Sequence, residues 1–585
     1  MEVMGMRQEK RMEHYDLLTV SGEEFLKEEQ NPWQEYPRPQ MRREHYQILN
    51  GVWKLNGESI TIPFPPQAIL SGYQKDPGDI LVYEKEFILP DESVTGRILL
   101  HFGAVDQTAK VWINDCLAGG HEGGYLPFSC DIIKEVKNGL NKLKVEAVDT
   151  LSGIYPYGKQ KKKRGGMWYT PVSGIWQTVW MEMVPECYIR NVKLTPDMDG
   201  VDIEVSLEGM SSVSGFTVHL KLENGQQITK RFEASCGRLN LRDIMLSDGS
   251  RYQPLLWTTE HPYLYSMLIK AGEDQIETYF ALRTIQIENT GKRKRVCLNG
   301  EPVFLHGVLD QGYFSDGIYL PAKPVEYEKD IMRMKELGIN MLRKHIKVEP
   351  ESFYYACDRL GMLVMQDMVN NGPYSFLFDT ALPTIGLKKR NDARGKICGK
   401  RKEFFIRHSK ETIEHLYNHP CIVAYTIFNE GWGQFNSDEL FDMVKSWDST
   451  RLVDSTSGWF AQKKNDFDSE HIYFKVIPLQ VKERPLFVSE CGGYSMEVAG
   501  HHYSKNTSYG YGICKDEEEL TERIVYMYEN MILPFVADGL CGCVYTQISD
   551  VEDEINGLYT YDRKVCKVDK KKMLEIADKL QKNCK

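Results

Sequence analysis

No apolar run in this 585-residue sequence approaches the ~18–20 residues a membrane-crossing helix needs. The strongest, Cys421-Ile-Val-Ala-Tyr-Thr-Ile-Phe428, has the length of a core strand. An apolar signal core is also missing from Met1–Glu13, which is charged throughout, so no secretory signal is expected there. Positive charge is not in excess: 83 Asp and Glu against 72 Lys and Arg give −11, which argues against coating nucleic acid or an anionic membrane. None of the 14 cysteines forms Cys-x-x-Cys, and none clusters at zinc-ligand spacing. Buried reduced thiols are therefore expected and, with the missing signal, a cytoplasmic location. No Gly-x-Gly-x-x-Gly follows a strand, which removes the dinucleotide fingerprint and weakens a doubly wound sheet.

What is present changes texture twice along the chain. At ~150 residues per domain the length suits three to four domains. Up to residue 186 short alternating runs recur, among them Leu81–Ile88, Arg97–Phe102, Ala109–Asn114, Lys142–Ala147 and Trp176–Glu182, as in a two-sheet sandwich. Residues 187–286 carry a second β block, with Val201–Ser206, Phe216–Leu222 and Tyr265–Lys270, of immunoglobulin-like size. From 287 to 585 apolar strands alternate with helical patterns. Eight strands are expected, at Val303–His306, Ile339–His345, Met362–Asp367, Ile422–Glu430, Leu452–Ser455, His471–Phe474, Leu486–Glu490 and Gly542–Thr546. Repeated βα units of this length predict a (β/α)8 barrel.

In such a barrel the chemistry gathers at the C-terminal ends of strands. Glu430 ends the fourth, in Ile427-Phe-Asn-Glu-Gly-Trp-Gly433, and Glu490 the seventh, in Leu486-Phe-Val-Ser-Glu-Cys-Gly-Gly493. A lone strand-end Glu is commonly a solvated rim residue. Two of them, each closely followed by Gly, on strands that face across the barrel, suit double-displacement glycoside cleavage, one as protonated acid and one as ionised nucleophile. Asn429 is placed to donate to a sugar 2-hydroxyl, and Asp367, ending the third strand, to bind hydroxyls or to partner Arg343.

The segments Asn418–Trp432, Phe487–Gly493, Leu337–Arg343 and Cys357–Val364, with Leu81–Phe87 and Tyr169–Trp180 in the first block, resemble glycoside hydrolase family 2, the group of β-galactosidases, β-glucuronidases and β-mannosidases. The resemblance spans nearly the whole chain. It implies a sugar-binding-like jelly roll (1–186), an immunoglobulin-like sandwich (187–286) and a catalytic TIM barrel (287–585). It further implies Glu430 as acid/base and Glu490 as nucleophile of a retaining exo-β-glycosidase. Asn429 would contact the 2-hydroxyl, Arg343 and Tyr473 would hold the nucleophile, and Tyr545 would stand where relatives carry a tryptophan platform. His306, Asp310, His345, Asp367 and Trp432 complete the expected substrate contacts. No cofactor and no metal is expected, because the family's third-strand metal ligands are not recognisable in Gln366–Gly372.

Departures from the family pattern bear on the sugar. Gly307–Phe314 stands where β-galactosidases of the family read Asn-Arg-His-Glu, leaving His306, Asp310 and Gln311 as the polar groups. Asn556 lacks the lysine with which β-glucuronidases grip a carboxylate, although Arg563 is near. The acidic run Asp550–Glu554 reads as a solvated loop or as a rim that repels anionic sugars, and Lys159–Arg164 as a solvated loop of the jelly roll or, as the resemblance allows, a loop that reaches the barrel mouth and contacts the aglycone. The long stretch Val369–Arg401, with Tyr374, Phe376 and Phe378, reads as an aromatic lid or aglycone wall. A β-galactoside is the first expected substrate and a β-uronide the second. A carbohydrate-binding protein on an inactive barrel, and a metal-dependent hydrolase using Asp367 and nearby histidines, are the readings from other classes. The expected partner is a carbohydrate or glycoconjugate, with no nucleic acid or membrane, and a homo-oligomer through the β domains is compatible with the architecture.

Overall fold

The computed structural model describes residues 14–28, 31–89, 96–209, 215–291, 293–388, 390–394, 397–473 and 475–585. Met1–Glu13, Phe474 and, within the long stretch, Lys389, Gly395 and Lys396 lie outside the described residues. The first block folds into two antiparallel sheets, one of four strands and one of six. Period-two burial in Gly51–Leu55 and Leu140–Val148 turns Trp53, Leu55, Leu143, Val145 and Ala147 inward. The second block pairs a three-stranded with a four-stranded sheet around Ile203, Val218, Tyr265 and Ile269.

The barrel strands are β1 (Leu305–Asp310), β2 (Met341–Lys344), β3 (Leu363–Asp367), β4 (Ile422–Asn429), β5 (Leu452–Ser457), β6 (Asp468–Tyr473), β7 (Leu486–Gly492) and β8 (Leu540–Thr546). They form one parallel sheet in the order β5-β4-β3-β2-β1-β8-β7-β6. Helices α1 (Val325–Glu336), α2 (Glu351–Leu360), α3 (Gly399–Leu416), α4 (Ser437–Trp447), α5 (Glu517–Met527) and α6 (Lys570–Cys584) pack outside. Among the described residues no helix separates β5 from β6 or β6 from β7, so the expected alternation lapses there. Nearly every strand residue is buried, because parallel barrel strands are covered on both faces.

The first strand is displaced from its expected place. It runs from Leu305 rather than ending at His306, since Val303–Phe304 still leads in from a three-stranded sheet beside the barrel. The N-terminal stretch also departs from the expected first domain. Thr19 caps a short helix and donates to Asp316, and the Trp33 indole donates to the Pro321 carbonyl, which straps this stretch onto the barrel. No helix among the described residues is long and apolar enough to cross a membrane.

Candidate active site

The end of β4 places the first carboxyl. Glu430 has a left-handed backbone (φ 52°) and Gly431 follows at φ 69°, so the chain breaks away from the strand directly after Asn429. A side chain on Gly431 would meet the Phe460 ring at 2.3 Å, which leaves room there only for glycine. Glu490 lies inside β7, with its side chain in the central pit. One oxygen of each carboxyl and a His471 nitrogen lie within 4.8 Å of one another. Both glutamates are buried.

Arg343 is the hub of the pit and is fully buried. Its guanidinium donates to Glu490 Oε1 (3.0 Å), Asp367 Oδ1 (3.0 Å), Asn429 Oδ1 (2.9 Å) and the Ser489 carbonyl (3.0 Å). Such a planar fork can fix several acceptors at once. The Tyr473 hydroxyl donates to Glu490 Oε2, and His471 Nε2 lies 3.6 Å from Oε1. Burial opposes charge on Glu490, but His471, Arg343, His345 and Tyr473 outweigh it and hold the carboxyl well below the usual range. Asp367 is also held low against burial, by Arg343 and His345. His345 Nδ1 pairs with Asp367 Oδ2 at 2.8 Å, while its Nε2 is buried with no partner among the described residues. Glu430 Oε1 lies 2.9 Å from His471 Nδ1. The spacing of Glu430, His471 and Glu490 could admit a cation. Arg343 and Tyr473 already donate to the two Glu490 oxygens.

Of the residues expected from sequence, the pit unites Glu430, Glu490, Asn429, Arg343, Asp367, His345 and Tyr473. Three others lie elsewhere. His306 sits at the start of β1 and faces the helices, bonded to the Gly338 carbonyl and the Tyr528 hydroxyl at 3.0 Å each, and burial pushes its pKa down to about 4. Asp310 is four residues further along the same outer face, paired with Lys344 at 2.5 Å. Tyr545 packs against Gly492, and strand alternation sets it opposite Val544, the residue that lines the interior beside Gly307 and Met341. Trp432 forms part of a wall. Its indole donates to the Gly372 carbonyl, and its ring meets Tyr157 and Trp168 edge-on.

The sequence reading missed His471. It lies two residues before Tyr473 on β6, and period-two alternation was the signal that both share a face. The basic loop is solvated at Lys161–Lys163 and half-buried at Lys159 and Arg164, where it reaches the barrel. The loop 157–170 lies over the barrel mouth: Tyr157 and Gly158 donate to the Asn370 carbonyl, Arg164 pairs with Glu552, and the Tyr169 hydroxyl donates to Glu554. The acidic run is buried, with Asp550 paired to Lys567 at 2.7 Å. The charge of Lys159, from the same jelly-roll loop, is felt at His345 and Glu554. In the long stretch, Phe376 and Phe378 are 62% and 58% exposed. The Trp459 indole ties this segment to Glu430 by donating to the carbonyls of Asp379 and Glu430.

Three family models match in order: glycosyl hydrolases family 2, sugar binding domain (62–185), glycosyl hydrolases family 2 (187–283), and the TIM barrel domain of that family (290–506). A putative beta-glucuronidase of Formosa agariphila is 25% identical over 507 residues, 78% of this chain and 56% of that one. A beta-galactosidase of Thermoanaerobacter pseudethanolicus is 25% identical over 405 residues, 65% of this chain and 49% of that one. The chain thus spans about half the length of these curated relatives. Among solved structures, a beta-glucuronidase of an uncultured Clostridium sp. superposes with TM-score 0.70 at 19% identity, covering 93% of this chain and 99% of that one. A beta-galacturonidase of Eisenbergiella tayi gives TM-score 0.65 at 18% identity, covering 92% and 98%. At these identities the structural likeness is one of fold.

Proposed function

The chain belongs to glycosyl hydrolase family 2, and from that membership and the paired carboxylates we propose a retaining exo-β-glycosidase. Glu490 attacks the anomeric carbon while Glu430 gives its proton to the departing oxygen, leaving a covalent glycosyl-enzyme. Glu430 then takes a proton from water, the water oxygen attacks the anomeric carbon, and Glu490 leaves as carboxylate. The supporting observation is the separation: oxygens within 4.8 Å suit the ~5–5.5 Å of retaining pairs, not the ~6.5–9.5 Å of inverting ones. Arg343 keeps Glu490 ionised and aimed. It also occupies the Asn429 carbonyl oxygen, so the Asn429 amide is left to donate to a 2-hydroxyl. The segment that carries the exposed Phe376 and Phe378 is tied to the backbone of Glu430 and Gly431 through Trp459 and Arg390, on the side where the aglycone departs.

A neutral hexoside such as a β-galactoside is the first reading. A β-uronide is the second, favoured by the Lys159 charge at the pit. Nitrophenyl β-galactoside, glucuronide, galacturonide, glucoside and mannoside, run beside Glu490→Gln, test both readings. Hydrolysis with the β-anomer formed first in NMR, lost in the variant, is expected. Wild-type turnover by Glu490→Gln, or the α-anomer first, overturns the mechanism. No hydrolysis across the panel with sugar binding retained would mark a carbohydrate-binding protein instead.

A further inference from the structure

The barrel sheet is open at one seam. β5 and β6 share no backbone ladder, and side chains bridge them instead. The bridge is a file of hydroxyls that starts at the acid. Glu430 Oε1 lies 2.9 Å from His471 Nδ1, and His471 Nε2 lies 2.7 Å from Ser457 Oγ. Ser457 donates to Ser489 Oγ at 3.1 Å, Ser489 and Ser469 are 2.7 Å apart, and Ser469 donates to Asp454 Oδ2 at 2.7 Å. The other Asp454 oxygen accepts from the Asn465 amide at 2.9 Å. Every member is buried, and Asp454 is fully enclosed.

A hydroxyl has one hydrogen to give, so the file runs in one of two directions. With Asp454 ionised, Ser469 donates to it, Ser489 to Ser469 and Ser457 to Ser489. The alternative acceptor for Ser489, the Glu470 carbonyl, is more distant at 3.4 Å. Ser457 must then accept from His471 Nε2–H. That leaves Nδ1 bare, able only to accept the hydrogen of Glu430. Reversed, with Asp454 protonated, Nδ1–H would donate to Glu430 and favour its ionised form. The logic is that of a carboxylate fixing a histidine tautomer, here through three serines.

We propose that His471 is a positioning residue whose tautomer, set by Asp454 through Ser469, Ser489 and Ser457, keeps the proton on Glu430 until the leaving oxygen takes it. The proposal rests on the reading of Glu430 as the acid. Protons balance within the cycle: one passes from Glu430 to the aglycone oxygen, one returns from water, and the file keeps its own hydrogens. The groups facing His471 are Glu430, Glu490, Ser457, and the rings of Trp459 and Tyr473. Its ring also lies flush on Gly458, where a side chain would meet it at 2.7 Å. Facing Asp454 are Asn465 and Ser469, with the Arg343 guanidinium and the His471 ring beyond. Burial raises its carboxyl above the usual carboxylate range, and these neighbours offset that only in part.

The test is leaving-group dependence with a pH profile. In Asp454→Asn the new amide can donate to Ser469 and reverse the file. On alkyl glycosides, which need the acid, kcat/KM at neutral pH should fall ~10–100-fold, and the alkaline limb should move to lower pH. On dinitrophenyl glycosides, which leave without protonation, the loss should stay under about threefold. Ser489→Ala, which deletes one hydroxyl mid-file, should show the same split and guards against misfolding of the first variant. Equal losses on both substrates, or an unmoved alkaline limb, would leave the file as a mere clasp for the seam and overturn the proposal. Glu430→Gln is the reference. If it lacks the leaving-group split, the assignment of the acid has failed, not the file.

Discussion

Arg343 and Lys344 are consecutive on β2, both buried and both paired with carboxylates, yet they belong to different machines. Arg343 points inward to Glu490, Asp367 and Asn429. Lys344 points outward, bonded to Asp310 and to Glu349 Oε1 (2.8 Å), with its ammonium 4.2 Å from the centre of the Phe353 ring on α2. Lys347 extends the outer network to Glu349 and to the carbonyls of Gly312 and Tyr319. One network sets the charge of the proposed nucleophile and the other fastens strands to helices. Side-chain parity along the strand separates them, not residue type or strand end.

That comparison is open to breakage at four points. The largest effect belongs to the inner face: Glu490→Gln should lose on the order of 10⁴-fold or more in turnover while melting within a few degrees of wild type. Next, Arg343→Gln should cost ~10²–10³-fold in kcat/KM. It should also move the acid limb of the pH profile upward. Arg343 helps hold the Glu490 carboxyl low, attack requires the ionised form, and without the guanidinium a higher pH is needed to ionise it. An unmoved acid limb would show that Arg343 does not set the charge of Glu490. On the outer face, Lys344→Met leaves Asp310 buried without its cation and should cost about 3–5 kcal/mol in a urea melt. Turnover per folded molecule should stay within about twofold. Loss of kcat with unchanged stability would place Lys344 in the pit after all.

The same parity explains what the sequence made legible. Glu430 and Glu490 were readable because an apolar strand ending in Asn-Glu-Gly or Glu-Cys-Gly announces both a strand end and a break, and the resemblance supplied Arg343, Asn429 and Tyr473. His306 and Asp310 were misplaced together. A shift of the first strand's end from His306 to Asp310 moves both along the barrel axis, and each lies on the outward parity. Near-continuous apolar strands carry no alternation from which parity could be read. The run Asp550–Glu554 was taken as a solvated loop or an exposed rim because charge suggests water. It is buried instead, with Glu552 and Glu554 bonded to Arg164 and Tyr169 across a domain boundary that local sequence does not encode. His471 was within reach through Tyr473, but its link to Asp454 joins two strands that, among the described residues, are bonded side chain to side chain.

The smallest effect gives the sharpest discrimination. Tyr545 was expected beneath the sugar, whereas its ring packs on Gly492 and its hydroxyl is buried beside the Tyr494 backbone, with no side-chain partner among the described residues. A buried hydroxyl without a well-formed bond contributes little, so deleting that oxygen should cost little. Tyr545→Phe should therefore stay within about 1 kcal/mol of wild type in stability, with KM unchanged. Tyr473→Phe changes the same atom on the inner face. It takes a donor from Glu490 and should lower kcat/KM by ~10-fold or more, with little effect on melting. Identical chemistry at two tyrosines thus separates the faces by outcome. If instead Tyr545→Phe raised KM and Tyr473→Phe were silent, the assignment of inner and outer faces on β6 and β8 would have to be exchanged.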